Sequence, residues 1–308
     1  MKRIEGGMLG LLVGDAVGVP YEFHDASDLP AVIELEPPRG FARAHWSVPP
    51  GTYSDDGAQA LCLLASLLER GRLDVDDFGA RLVRWYDAGY LAVDDIVFDV
   101  GVQTAAAIRA MRRGVAAADA GLRGEHDNGN GSLMRVLPLA LVHTGSDAEL
   151  VADAHAQSLP THGHPRAQAC CALYCLWARA TLAGRDDAWP HALATLRRIY
   201  DAFPAHREQL EFHVRPDEAA SPRGSGYVVD ALRSAYWATQ QGDYEAVVRA
   251  AISLGNDTDT TAAIAGGIAG LRDGLDAIPA RWRDRLRGRE LYQPLVDALG
   301  ARLPAHRG

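Results

Sequence analysis

The segment Gly255-Asn256-Asp257-Thr258-Asp259-Thr260-Thr261 runs directly into Ala262-Ala263-Ile264-Ala265-Gly266-Gly267-Ile268-Ala269-Gly270. This stretch constrains the fold more than any other. Its spacing predicts a helix, because the small residues at 263, 266, 267 and 270 fall on one face. A glycine inside a helix costs about 1 kcal/mol relative to alanine. Close packing against another backbone must offset several such residues. The segment therefore predicts a buried, central helix that opens on two carboxylates and a hydroxyl.

The rest of the chain has the same period. Leu61, Leu64, Ala65 and Leu68 form one stripe closed by Gly71, and Ala105, Ile108, Ala110 and Met111 form another ahead of Gly114. Leu82, Trp85 and Tyr86 fit the pattern, as do the runs Cys170 to Leu182 and Tyr227 to Gln240. No alternating strand pattern and no βαβ unit is present, so the fold class is all-α. Three loop-like stretches, 36–53, 121–132 and 215–226, interrupt the helices. Unusual motifs lie at both ends and in the middle, which favours one domain over residues 1–308 whose loops converge.

Composition narrows the function. Charged residues make up 23% and the formal net charge is −9, which argues against a general nucleic-acid or membrane-surface binder. The start Met1-Lys2-Arg3, followed by apolar Met8 to Val13, has the outline of a signal peptide, but Glu5 and Asp15 interrupt it. The longest apolar stretch, Ala262 to Leu271, is far short of the roughly 20 residues of a membrane span. A cytoplasmic protein is expected. Cys62, Cys170, Cys171 and Cys175 lack a zinc-type spacing and read as buried, reduced thiols.

A second acid-rich helix start, Gly51-Thr52-Tyr53-Ser54-Asp55-Asp56-Gly57, precedes the Leu61 stripe. One capping side chain satisfies orphan helix donors. Two carboxylates after a hydroxyl either overfill that role or bind a cation. If this start met the one at Asp257, the combined oxygens would suit Mg²⁺, Mn²⁺ or Ca²⁺. Near the N-terminus, Asp15 reads as a cap and Glu22 as a surface charge or a functional acid. Asn128-Gly129-Asn130-Gly131-Ser132 reads as a plain turn or as an anion nest. By themselves, His162 reads as a structural histidine and Trp177, Trp189 and Trp237 as core.

Together these segments resemble the ADP-ribosylglycohydrolase family. The motifs are GDAVGVPYEF (14–23), GTYSDDGAQ (51–59), GNGSLMRVLPL (129–139), THGHP (161–165) and GNDTDTTAAIAGGIAG (255–270), with weaker FDVGVQT (98–104) and SGYVVDAL (225–232). The resemblance implies a compact, single-domain, multi-helix fold and two Mg²⁺ (or Mn²⁺) ions in a cleft. By motif, the implied metal ligands are Ser54, Asp55, Asp56, Asp257, Asp259 and Thr260. Glu22 falls on the family's active-site glutamate. Asn130, Gly131 and Ser132 fall in the loop that holds ADP-ribose, with Asp99, Gly101, His162 and Tyr227 lining the pocket. Ser54 stands where threonine is usual and keeps the hydroxyl, whereas Gly57 replaces a threonine or serine and loses it.

The implied activity is metal-dependent removal of ADP-ribose from an ADP-ribosylated protein or small molecule by a monomer. ADP-ribosyl-arginine is the leading substrate by resemblance. The alternatives are a hydrolase of a free ADP-ribosyl metabolite or nucleic-acid adduct, and a non-catalytic ADP-ribose-binding protein.

Overall fold

Residues 2–302 are described by a computed structural model. Fifteen α-helices follow one another: α1 (Lys2–Gly18), α2 (Asp55–Arg70), α3 (Val75–Ala88), α4 (Val102–Arg112), α5 (Ala117–Ala120), α6 (Leu137–Val142), α7 (Asp147–Ser158) and α8 (Pro165–Leu182), then α9 (Ala188–Tyr200), α10 (Pro204–Glu208), α11 (Val228–Thr239), α12 (Tyr244–Ile252), α13 (Thr258–Asp273), α14 (Ala280–Arg283) and α15 (Arg289–Arg302). Among the described residues there is no β-strand. Three isolated bridges, Asp25 to Gly255, Leu122 to His162 and Gly129 to Tyr227, tie loops together instead. The fold is an all-α single domain, and no described helix is long and apolar enough to cross a membrane.

The small-residue helix is α13, and it is buried from Thr258 to Leu271. Its partner is α1, buried from Gly6 to Gly18. Glycines at 6, 10, 14 and 18 face it at intervals of four residues. A Cβ on Gly6, Gly10 or Gly14 would stand 2.4, 2.4 or 2.3 Å from the carbonyl oxygens of Gly270, Gly266 and Ala262. The helices therefore touch backbone to backbone. Tyr244 and Tyr174 help by donating their hydroxyls to the Gly10 and Ile264 carbonyls, at 2.8 and 2.9 Å. At the end of the seam, Thr258 donates to the Gly18 carbonyl at 2.8 Å. This contact sets the last turn of α1 against the first turn of α13.

The α2 stripe packs inward from Asp55 to Leu67 and stops at Gly71, whose left-handed backbone donates its N–H to the Leu67 carbonyl. All four cysteines are buried and free. Trp177 and Trp189 lie in the core, and Trp237 packs half-buried against it.

Candidate active site

The N-termini of α2 and α13 meet at the bottom of a cleft of about 640 Å³, whose wall includes Glu22, Asp55, Asp99, Gly101, Asn130 and Asp257. The two helix starts are in direct contact: Thr260 donates its hydroxyl to Asp56 Oδ2 at 3.3 Å. Ser54 caps α2 by accepting the Asp56 N–H and also donates to Asp56 Oδ2, each at 3.3 Å. Asp55 Oδ2 accepts from Gln59 at 2.8 Å, and Asp257 Oδ2 accepts from Asn130 at 2.8 Å. Asp259 accepts the Thr260 N–H at 2.7 Å.

What remains unpaired points to a ligand. Asp56 Oδ1, Asp257 Oδ1 and Asp259 Oδ2 are buried and accept no hydrogen bond from the described residues. One oxygen from each of Glu22, Asp257 and Asp259 lies within 4.8 Å of the others. Burial pushes Asp55, Asp56, Asp259 and Glu22 well above the usual carboxylate range, and neighbouring carboxylates push further. Burial likewise raises Asp99 to about 7, with Asp257 adding to the effect. Crowded, dry carboxylates with orphaned oxygens fit hard divalent cations, which take oxygen donors. Capping explains Ser54 alone.

Asp15 has a job that its own helix does not need. Its carboxylate accepts the Ser54 N–H at 2.8 and 3.0 Å and the Gly57 N–H at 2.8 Å, fixing the start of α2 from α1. Gly57 suits that packing, since a Cβ there would stand 2.8 Å from Leu12 and 2.9 Å from Tyr53.

The Asn-Gly loop is stitched in place. Gly129 N–H is held by Gln103 at 2.7 Å and Asn130 N–H by the Gly226 carbonyl at 3.1 Å, so an anion nest would lack both donors. The Leu133 N–H closes a turn on the Asn130 carbonyl at 2.8 Å. Gly131 lies over the His162 ring, 2.8 Å from where its Cβ would stand. His162 is buried and lines the cleft. Burial, assisted by Arg135, lowers its pKa to about 3, so the ring is neutral. Ser132 is fully buried and turned from the cleft, its hydroxyl accepting from Ser158 at 2.8 Å. Tyr227 is partly exposed at the start of α11, bridged to Gly129 beside the cleft.

Two residues near the site carried no sequence signal. Arg135, fully buried, donates to Gln59 Oε1 at 2.8 Å, and Gln59 in turn holds Asp55. It lies within a motif noted above, but nothing in the spacing shows that it faces the acids. His45 sits in the loop 36–53, which has no periodicity, and its Nε2 lies 2.5 Å from Glu22 Oε2.

Known proteins resemble this chain over nearly its whole length. The sequence profile of a family described as ADP-ribosylglycohydrolase matches residues 1–307. The chain is 30% identical over 311 residues to a protein of Pseudomonas putida (strain GB-1) named ADP-ribosylarginine hydrolase Tri1, covering 99% of this chain and 79% of that one. It is 30% identical over 289 residues to the ADP-ribosyl-[dinitrogen reductase] glycohydrolase of Rhodospirillum rubrum, covering 92% of this chain and 90% of that one. A solved structure described as an ADP-ribosylglycohydrolase-related protein complex superposes with a TM-score of 0.77 at 35% identity, covering 97% of this chain and 96% of that one.

Proposed function

Since the chain belongs to the ADP-ribosylglycohydrolase family and is a hydrolase of glycosidic bonds, we propose that it releases ADP-ribose from ADP-ribosylated arginine on protein. The observation that carries the reading is the convergence of orphaned carboxylate oxygens from α2 and α13 beside Glu22 in one cleft. The relative named ADP-ribosylarginine hydrolase supports arginine as the acceptor. So does Asp99 in the cleft wall, a carboxylate suited to a guanidinium. We assign the protein as a cytoplasmic monomer of one domain.

Ser54, Asp55, Asp56, Asp257, Asp259 and Thr260 would hold two Mg²⁺ (or Mn²⁺) ions. Bound there, these ions supply Lewis-acid stabilisation of ribose oxygens and a lowered water pKa. The chain's own residues do the rest. Asn130 and Gly131 orient the ADP-ribose moiety over the His162 ring, with Gly101 and Tyr227 bordering it. Ser132, turned inward, supports that loop from beneath. In the reaction a water oxygen bonds to the anomeric carbon of the distal ribose as the carbon–nitrogen bond breaks. The transition state has oxocarbenium character. One proton of that water passes to the departing guanidine, and Glu22 is the group placed to accept and return it.

A panel of ADP-ribosylated arginine and serine peptides, a nucleic-acid adduct and a free ADP-ribosyl metabolite, incubated with protein and Mg²⁺, tests the assignment. Release of ADP-ribose from arginine is expected, and preference for another member would replace the acceptor. Binding of ADP-ribose with no turnover of any member would leave a non-catalytic binder. Glu22→Gln should bind ADP-ribose normally and lose about 10²- to 10⁴-fold in rate, the usual worth of acid–base assistance. A wild-type rate in that variant would remove Glu22 from the mechanism.

A further inference from the structure

We infer that His45 is the positioning residue for Glu22: the imidazole of the loop 41–48 donates a hydrogen bond that fixes the glutamate carboxylate in the cleft. This rests on the role proposed for Glu22.

The geometry begins with the contact itself. His45 Nε2 lies 2.5 Å from Glu22 Oε2 and 3.9 Å from Asp99 Oδ1. In the ionised form in which Glu22 accepts a proton from water, the carboxylate has none to give, so the ring nitrogen is the donor. The charged groups that act most strongly on Glu22 are acids: Asp259, Asp99 and Asp257. Among the described residues, no other side chain donates a hydrogen bond to this carboxylate. Without His45 the ionised carboxylate would face Asp99, Asp257 and Asp259 with no donor side chain to direct it.

The loop is built to hold that ring inward. His45 has a φ of +48°, a left-handed conformation that a non-glycine residue adopts at a cost. Ala44 N–H donates to the Pro20 carbonyl at 3.0 Å, tying the loop to the turn that carries Glu22. Val48 N–H closes on the His45 carbonyl at 2.8 Å, and Arg43 reaches the Val48 carbonyl at 2.7 Å. The ring packs between Phe23 and Phe98, with centroids 5.5 and 5.0 Å away, leaving its side chain 15% exposed. Strain, anchoring and aromatic packing all serve one orientation of one nitrogen. With Oε2 held, Oε1 is the oxygen left to act on a proton.

Two variants separate the hydrogen bond from the packing. His45→Phe keeps a ring between Phe23 and Phe98 but has no N–H. His45→Gln loses the ring but carries an amide donor at about the same reach. Rates are measured in Mg²⁺ on whichever ADP-ribosylated substrate the wild type hydrolyses, and ADP-ribose affinity by calorimetry. For His45→Phe, kcat should fall about 10- to 100-fold, the rate equivalent of one hydrogen bond to a charged group, with ADP-ribose affinity unchanged. His45→Gln should recover most of that loss. Independently, ¹H–¹⁵N spectra of the wild-type imidazoles should show His45 protonated on Nε2, with a signal that moves in Glu22→Gln. A wild-type kcat in His45→Phe, a parallel loss of affinity and rate, or protonation on Nδ1 alone would overturn the inference. If the wild type hydrolyses no substrate, the proposed function fails, and the spectra still decide the hydrogen bond. They also decide it if His45→Phe does not fold.

Discussion

A buried charge is tolerated only with a partner, and single side chains here show both outcomes. Asp15 is satisfied by two N–H groups at the start of α2, whereas Asp56, Asp257 and Asp259 each keep an oxygen that nothing among the described residues satisfies. The histidines obey the same rule with the opposite sign. His155 is half-buried against His206, with ring centroids 4.3 Å apart, and meets the Tyr200 hydroxyl at 2.8 Å. Burial, then His206, lowers its pKa from 6.5 to about 3. Between these values the unfolded chain binds a proton that the native state refuses, so stability is full above the upper value and is lost as pH falls towards the lower. The limiting slope is about 1.4 kcal/mol per pH unit for one such group. His155→Gln should therefore flatten the acid limb of denaturant-measured stability by about 1 kcal/mol per unit between about pH 6 and 4. An unchanged slope would mean that His155 is protonated in the native protein.

Among the elements, the α1–α13 seam carries the most consequence for the site. It joins the turn leading to Glu22 to the start of α13, with Gly18 against Asp259 and Thr258 bonded to the Gly18 carbonyl. The register of two helices thus sets the distance between the proposed proton carrier and the proposed metal ligands. Gly10→Val places side-chain atoms where the Gly266 carbonyl now lies, 2.4 Å from the added Cβ. That overpacking should cost about 3 kcal/mol or more in urea denaturation, and activity should fall with it. A variant as stable as the wild type would show that the helices can separate freely. The α13 half of this seam was legible, because its small residues stand out on one face. Residues 6, 10, 14 and 18 repeat just as regularly, but the N-terminal stretch reads as merely apolar and glycine-rich until its partner is seen.

At the scale of the molecule, folding gathers acids from residues 15–22, 55–56, 99 and 257–259 against their mutual repulsion. That repulsion exists only in the native state, so a cation that relieves it must stabilise the fold. Mg²⁺ or Mn²⁺ should raise the melting temperature, by the equivalent of about 2.7 kcal/mol at a hundredfold excess over Kd. Asp257→Asn should lose most of this gain. No difference between Mg²⁺-saturated and exhaustively chelated protein would remove the metals from the account. The sequence by itself determined the helical period of α2, α3, α4, α8, α11 and α13, the all-α class and the two acid-rich helix starts, because period, caps and small-residue faces are local properties of consecutive residues. Only the tertiary structure decided that Thr260 touches Asp56, that Ser132 turns inward, that Asp15 serves another helix and that His45 and Arg135 belong to the site. Each of these joins residues far apart along the chain, and such contacts are set by how helices and loops pack rather than by any spacing the sequence displays.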